Sequence, residues 1–134
     1  MATEYFNDAW RIPNNKNQSL VSNYSMDFDG GENVNISPEV DLGINSTVSV
    51  WTNFSSSLNF VILGNSLANN YLLYADATNI YVRINDEAET FAHSMVLNQW
   101  YNIVLVRTGD SIEVFQNGNS LGVKTGYETT FTTK

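Results

Sequence analysis

The sequence predicts an all-β fold of two antiparallel sheets, and three stretches carry that prediction. From Trp100 to Val106 nearly every residue is apolar, with β-branched and aromatic types dominant. Such a run between turn residues fits a central strand covered on both sides. Asn117-Gly118 sits between alternating segments, and this dipeptide favours the type I′ hairpin turn, which needs φ > 0 at both central positions. Ile80, Val82 and Ile84 alternate with Tyr81, Arg83 and Asn85, the period of a half-buried strand.

In chain order, residues 1–22 read as a polar arm broken by Pro13. Its Tyr5, Phe6, Trp10, Ile12, Leu20 and Val21 are expected to pack on the domain or on a neighbour. Residues 23–134 read as one sandwich domain, a length that buries a sizeable core. Tyr24, Met26 and Phe28 alternate with Ser25, Asp27 and Asp29, a half-buried strand ending at Gly30-Gly31, and Val34 and Ile36 continue after that turn. Leu42 or Ile44 is placed as a core plug in the loop 39–45. Thr47 to Phe54 and Leu58 to Leu63 are the next strands.

Asn70 to Asn85 folds as a hairpin through Asp76-Ala77-Thr78-Asn79. That turn sets Leu73 beside Val82 and Tyr71 beside Ile84 on the core side, with Tyr74 beside Tyr81, Leu72 beside Arg83 and Asn70 beside Asn85 on the other. Ala88 to Val96 fits either a helical or an alternating pattern, and its neighbours favour a strand. Thr108 to Ser111 is a turn. After it Ile112, Val114 and Gln116 share one face, and a two-residue loop at Asn117-Gly118 pairs Val114 with Leu121 and Ile112 with Val123.

The segments Tyr24-Ser-Met-Asp-Phe-Asp-Gly30, Thr47-Val-Ser-Val-Trp51, Trp100-Tyr-Asn-Ile-Val-Leu-Val106 and Gly109-Asp-Ser-Ile-Glu-Val-Phe-Gln-Asn-Gly118 together resemble the concanavalin A-like lectin/glucanase superfamily, in its laminin G-like and pentraxin branch. The resemblance runs over roughly residues 24–126 and implies a jelly-roll β-sandwich. It also implies further strands after Tyr127; in their place the N-terminal arm fills the gap, a neighbouring copy does, or an open edge remains, and self-association through a sheet edge is expected. The arm Trp10-Arg-Ile-Pro-Asn-Asn15 resembles the start of some tailed-phage structural proteins that carry this domain.

The chain has a net charge of −8, with 6 Lys and Arg against 14 Asp and Glu. Arg11, Lys16, Arg83, Arg107, Lys124 and Lys134 are scattered, so no basic patch is expected for nucleic acid, nor for an anionic membrane surface. No run approaches the roughly 18 apolar residues of a membrane span, and the N-terminus lacks the basic start and apolar core of a secretory signal. A virion or extracellular surface is the location that suits so Asn-, Ser- and Thr-rich a chain. There is no cysteine, which removes disulfides and thiol chemistry.

A non-catalytic role is expected. Retaining glycosidases need two carboxyl groups about 5 Å apart. The superfamily's glucanase pattern is begun by Glu39-Val40-Asp41, but Ile44 stands where its second glutamate belongs. Asp86, Glu87 and Glu89 read as solvated turn charges, and His93, the single histidine, as a surface or edge residue with no nucleophile motif near it. By resemblance to the pentraxin pattern, Asn69-Asn70 occupies the place of an Asp-Asn calcium pair. The neutral Asn69 removes a charge, so calcium is left open and no cofactor is predicted. Asn35, Asn45 and Asn53 match the glycosylation acceptor pattern, as an Asn-rich chain does by accident. The candidate ligand site is the outer face of the 70–85 hairpin: Asn70, Tyr74, Tyr81, Arg83 and Asn85, aromatic rings for the C–H faces of a sugar and polar groups for its hydroxyls. The function expected is a carbohydrate-binding or adhesion module. The alternative is a structural component of a virion or surface assembly, for which the sandwich serves packing and oligomerisation.

Overall fold

The computed structural model describes residues 26–28, 32–36, 42–64, 71–84 and 87–127. The chain forms two compact units, Met1–Glu39 and Val40–Lys134. In the first, residues 26–28 and 32–36 lack regular structure and Met26, Phe28, Val34 and Ile36 are exposed, so the strand expected around Met26–Phe28 is not seen in those residues. Alternation marks an amphipathic segment, but a strand exists only where a neighbouring backbone runs in register with it.

The second unit is all β among its described residues. They contain eight strands and no helix, hence none long and apolar enough to cross a membrane. In order these are β1 (Asn45–Asn53), β2 (Phe60–Gly64), β3 (Tyr71–Ala75), β4 (Asn79–Ile84), β5 (Glu87–Ala92), β6 (Trp100–Thr108), β7 (Ser111–Gln116) and β8 (Asn119–Thr125). They make two antiparallel four-stranded sheets, β1-β6-β7-β8 and β2-β3-β4-β5. Leu73, Ile80, Val82 and Phe91 of one sheet and Ile103, Leu105, Ile112 and Val114 of the other share a single core. Leu42, the expected plug, lines a small cavity with Ile84, Leu105, Arg107 and Ile112.

Two sequence expectations need correction. β6 is covered on one face only: Tyr101, Ile103, Leu105 and Arg107 are buried, whereas Trp100 is half exposed and Asn102, Val104 and Val106 are partly so. Val104 and Val106 are β-branched and suit a strand on either face, so composition does not reveal their side. The β7–β8 register also differs. The turn forms as expected, with φ of 51° at Asn117 and 79° at Gly118, and pairs Gln116 with Asn119 and Phe115 with Ser120. A β-bulge then intervenes, so Val114 opposes Gly122 and Ile112 opposes Lys124. Gly122 adopts φ of 134°, open to a residue without a Cβ, and the extra residue turns Val123 outward to 53 % exposure.

The sheets are joined by the segment 93–99, which is held at several points. Gln116, buried at the end of β7, accepts from the Ser94 amide and donates to its hydroxyl, both at 3.2 Å. The Tyr101 hydroxyl accepts from the Val96 amide at 3.0 Å and donates to Gln99 Oε1 at 3.1 Å. At the margin where β5 lies near β8, Lys124 Nζ stands 3.6 Å from Glu89 Oε2. Glu87 and Glu89 belong to a strand, β5, and not to the turn expected from sequence, while Asp86 falls outside the described residues.

Candidate functional site

The β3–β4 hairpin has the predicted register: Leu73 pairs with Val82, Tyr74 with Tyr81, Ala75 with Ile80. With Leu73, Ile80 and Val82 wholly buried, period two puts Tyr74 and Tyr81 on the outer face, each half-buried. Their rings stack on one another, centroids 4.6 Å apart and planes 6° from parallel. Each ring therefore spends one face on its neighbour. The platform imagined from the sequence is instead a double-thickness aromatic wall standing on the sheet.

Asp76 fixes the end of that wall. Its Oδ1 accepts from the Thr78 amide (2.8 Å), the Asn79 amide (2.7 Å) and the Thr78 hydroxyl (3.1 Å). An Asp at the first position of a tight turn binds the following amides in this way and so presets the loop. Its Oδ2 accepts the Tyr81 hydroxyl at 2.5 Å. The Tyr81 bond, followed by the Thr78 and Asn79 amides, holds the Asp76 carboxyl well below the usual carboxylate range. The same bond to an anion pushes the Tyr81 phenol up. The result is a carboxylate that stays charged beside an oriented phenol.

His93 secures the turn from the other side. Its amide donates to Thr78 O at 3.0 Å. The ring Nδ1 accepts the Met95 amide at 3.1 Å, which assigns the proton to Nε2, 2.9 Å from Asp76 O. The single histidine is thus half-buried and ties the β3–β4 turn to the crossover between sheets, where sequence alone suggested a surface or edge position.

Beside the wall runs an open groove lined by Asn59, Phe60, Val61, Tyr74, Ala75, Asp76 and Tyr81. Val61, opposite Tyr74 on β2, is 50 % exposed and gives the groove an apolar far side. Of the predicted site residues, the structure brings Tyr74 and Tyr81 together here. Arg83 lies two residues further along β4, opposite Ala88, and does not line the groove. Asn70 and Asn85, like the Asn69-Asn70 pair weighed for calcium, fall outside the described residues.

Compared with protein-family models, curated proteins and solved structures, the chain gives no match. Its function must be read from its own side chains.

Five groove residues, Asn59, Phe60, Val61, Ala75 and Asp76, were not among the sequence candidates. Asp76 had a signal, the Asp-x-Thr-Asn spacing of a side-chain-capped turn, but that pattern announces a turn and not a ligand. Asn59 and Val61 had none. They reach the tyrosines only because β2 docks against β3, with register shifts between Val61 and Gly64 that no periodicity foretells.

Proposed function

We propose that this chain is a non-catalytic glycan-binding or adhesion module, built on a laminin G-like jelly roll of the concanavalin A-like type. The observation that carries the reading is the Tyr74–Tyr81 wall flanking a groove whose polar end is Asp76. A pyranose offers C–H faces and hydroxyls side by side, and the groove offers the complements of both. The exposed face of the tyrosine stack and Val61 meet the C–H surface, while Asn59 supplies an amide. Asp76 Oδ1 already takes three hydrogen bonds, but Oδ2 takes one from Tyr81 and keeps a lone pair for a sugar hydroxyl. The preset turn means little ordering is lost when a ligand arrives. A chain of net charge −8 fits a neutral sugar better than an anionic polymer. A virion or extracellular surface is the setting that goes with this reading.

Glycan-array screening of the wild type, Tyr74→Ala, Tyr81→Ala and Asp76→Asn tests it. A wild-type signal that falls about tenfold or more in each groove variant is the expected result. A signal equal in all four proteins, or none at all, overturns the reading. The second reading, a structural component of a virion or surface assembly, is favoured by a separate observation: the apolar outer face of the β1-β6-β7-β8 sheet.

A further inference from the structure

The outer face of an antiparallel sheet is ordinarily polar, because only the inner face meets the core. The face of β1-β6-β7-β8 departs from that. Trp51 is 64 % exposed, Trp100 50 % and Val123 53 %, and Val104, Val106 and Phe115 add partly exposed apolar surface between them. Glu113 is the one charged side chain that the described strands direct to this face, and it accepts a hydrogen bond from Ser120 at 2.6 Å. In a chain of net charge −8, this is a surface on which like charges scarcely oppose approach. Scarce charge combined with exposed tryptophan is the composition of an interface core.

The register shows which partner suits it. Across β1 and β6 the outward pairs are Thr47 with Val106, Ser49 with Val104, Trp51 with Asn102 and Asn53 with Trp100. Each pair sets an apolar side chain beside a polar one, clearly larger in all but the near-isosteric Val106–Thr47 pair, and the apolar member lies on β6 in every pair except the third, where Trp51 places it on β1. Asn102 is held low beside Trp51, its Nδ2 donating to Ser49 Oγ and Val50 O, both at 3.2 Å. Consider a second copy laid face to face and related by a twofold axis parallel to these strands. Its β6 then covers this β1, and its β1 covers this β6. Three rows bring large onto small, Trp51 over the mate's Asn102, Trp100 over its Asn53 and Val104 over its Ser49, and the fourth lays Val106 on the near-isosteric Thr47. Layers of side chains interdigitate when large and small residues face each other, and a twofold interface demands a surface complementary to itself. We propose that the occupant of this face is a second copy of the chain, docked through β1 and β6 about such an axis. This does not depend on the glycan groove, which lies on the outer face of the other sheet.

Sedimentation velocity and light scattering at about 100 µM, where even a micromolar interface is populated, test it. The wild type is expected at twice the chain mass. Trp51→Ser should return it to a single chain, and so should Asn53→Trp, which fills the recess for the mate's Trp100 while enlarging the apolar surface. Both side chains are exposed, and an unchanged circular dichroism spectrum verifies the fold. Tyr81→Ala should remain dimeric. A wild type at single-chain mass overturns the proposal, as does a dimer that survives Trp51→Ser. An Asn53→Trp protein that associates as well as or better than wild type also overturns it, since that marks unspecific stickiness in place of interdigitation.

Discussion

The phenol of Tyr81 donates its proton to the outer carboxylate oxygen of Asp76 across 2.5 Å, and both residues lie on the same hairpin five positions apart. This bond links the aromatic wall to the turn that ends it, so each residue titrates in answer to the other.

The Asp76 carboxyl is depressed in the folded chain, first by Tyr81 and then by the Thr78 and Asn79 amides. Below the ordinary aspartate value of about 3.9 the unfolded chain takes up a proton that the folded chain refuses. The stabilisation is therefore present above that value and lost as pH falls through the lower folded one. Thermal melts should show wild type more stable than Asp76→Asn at neutral pH, with the gap shrinking once the pH drops below about 4. Tyr81 is raised, so its contribution is intact below the ordinary tyrosine value of about 10 and disappears as pH climbs through the folded one. In ultraviolet titration the Tyr81 phenol should ionise later in wild type than in Asp76→Asn.

His93 accepts the Met95 amide through Nδ1 and approaches Asp76 O through Nε2. His93→Ala removes both contacts without touching a core side chain. Amide hydrogen exchange should speed up several-fold at Met95 and spread to the 76–79 turn, while amides inside β6 and β7 keep wild-type rates. Uniform acceleration across both sheets would show that the effect is on global stability alone.

The bulge in β8 separates two readings of Val123. Pointed inward opposite Ile112, it would cost core-like free energy when truncated. Pointed outward at 53 % exposure, Val123→Ala should stay within about 0.5 kcal/mol of wild type in denaturant unfolding. Gly122→Ala should cost about 1–3 kcal/mol, because an L-residue at φ of 134° is strained. Crowding adds little, since the new Cβ would meet only Phe91 Cδ1 at 4.0 Å.

Ile80 and Ile112 are both 0 % exposed and belong to different sheets of the shared core. Truncation of either to Ala should destabilise by about 2–5 kcal/mol, read as a lower urea midpoint at unchanged slope. A small loss at one of them would mean that its sheet does not rely on the common core.

Much of the fold was legible in residues near one another in the chain. The Tyr74–Tyr81 stack followed from alternation on both arms of a hairpin whose turn length is set by Asp76 and Asn79. The positive φ at Asn117 and Gly118 followed from the chemistry of the dipeptide. Less legible was the burial of Arg107, 4 % exposed at an inward position of β6 with its Nε 3.3 Å from Gly109 O. As one of six scattered cations it carried no mark of that place, where burial lowers its affinity for a proton.

The sequence by itself determined which side chains share a face of each strand, because a period of two is a property of the extended backbone, and it determined where tight turns fall, because few residues tolerate positive φ. Only the tertiary structure decided which faces meet. Trp51 and Trp100 became diagonal neighbours through β1–β6 pairing between segments about fifty residues apart, Val61 came to border Tyr74 through an irregular register, and a single inserted residue, Leu121, sent Val123 outward. Pairing between distant strands is selected by the burial of whole faces together, and that free energy belongs to the assembled sheets rather than to any one stretch of chain.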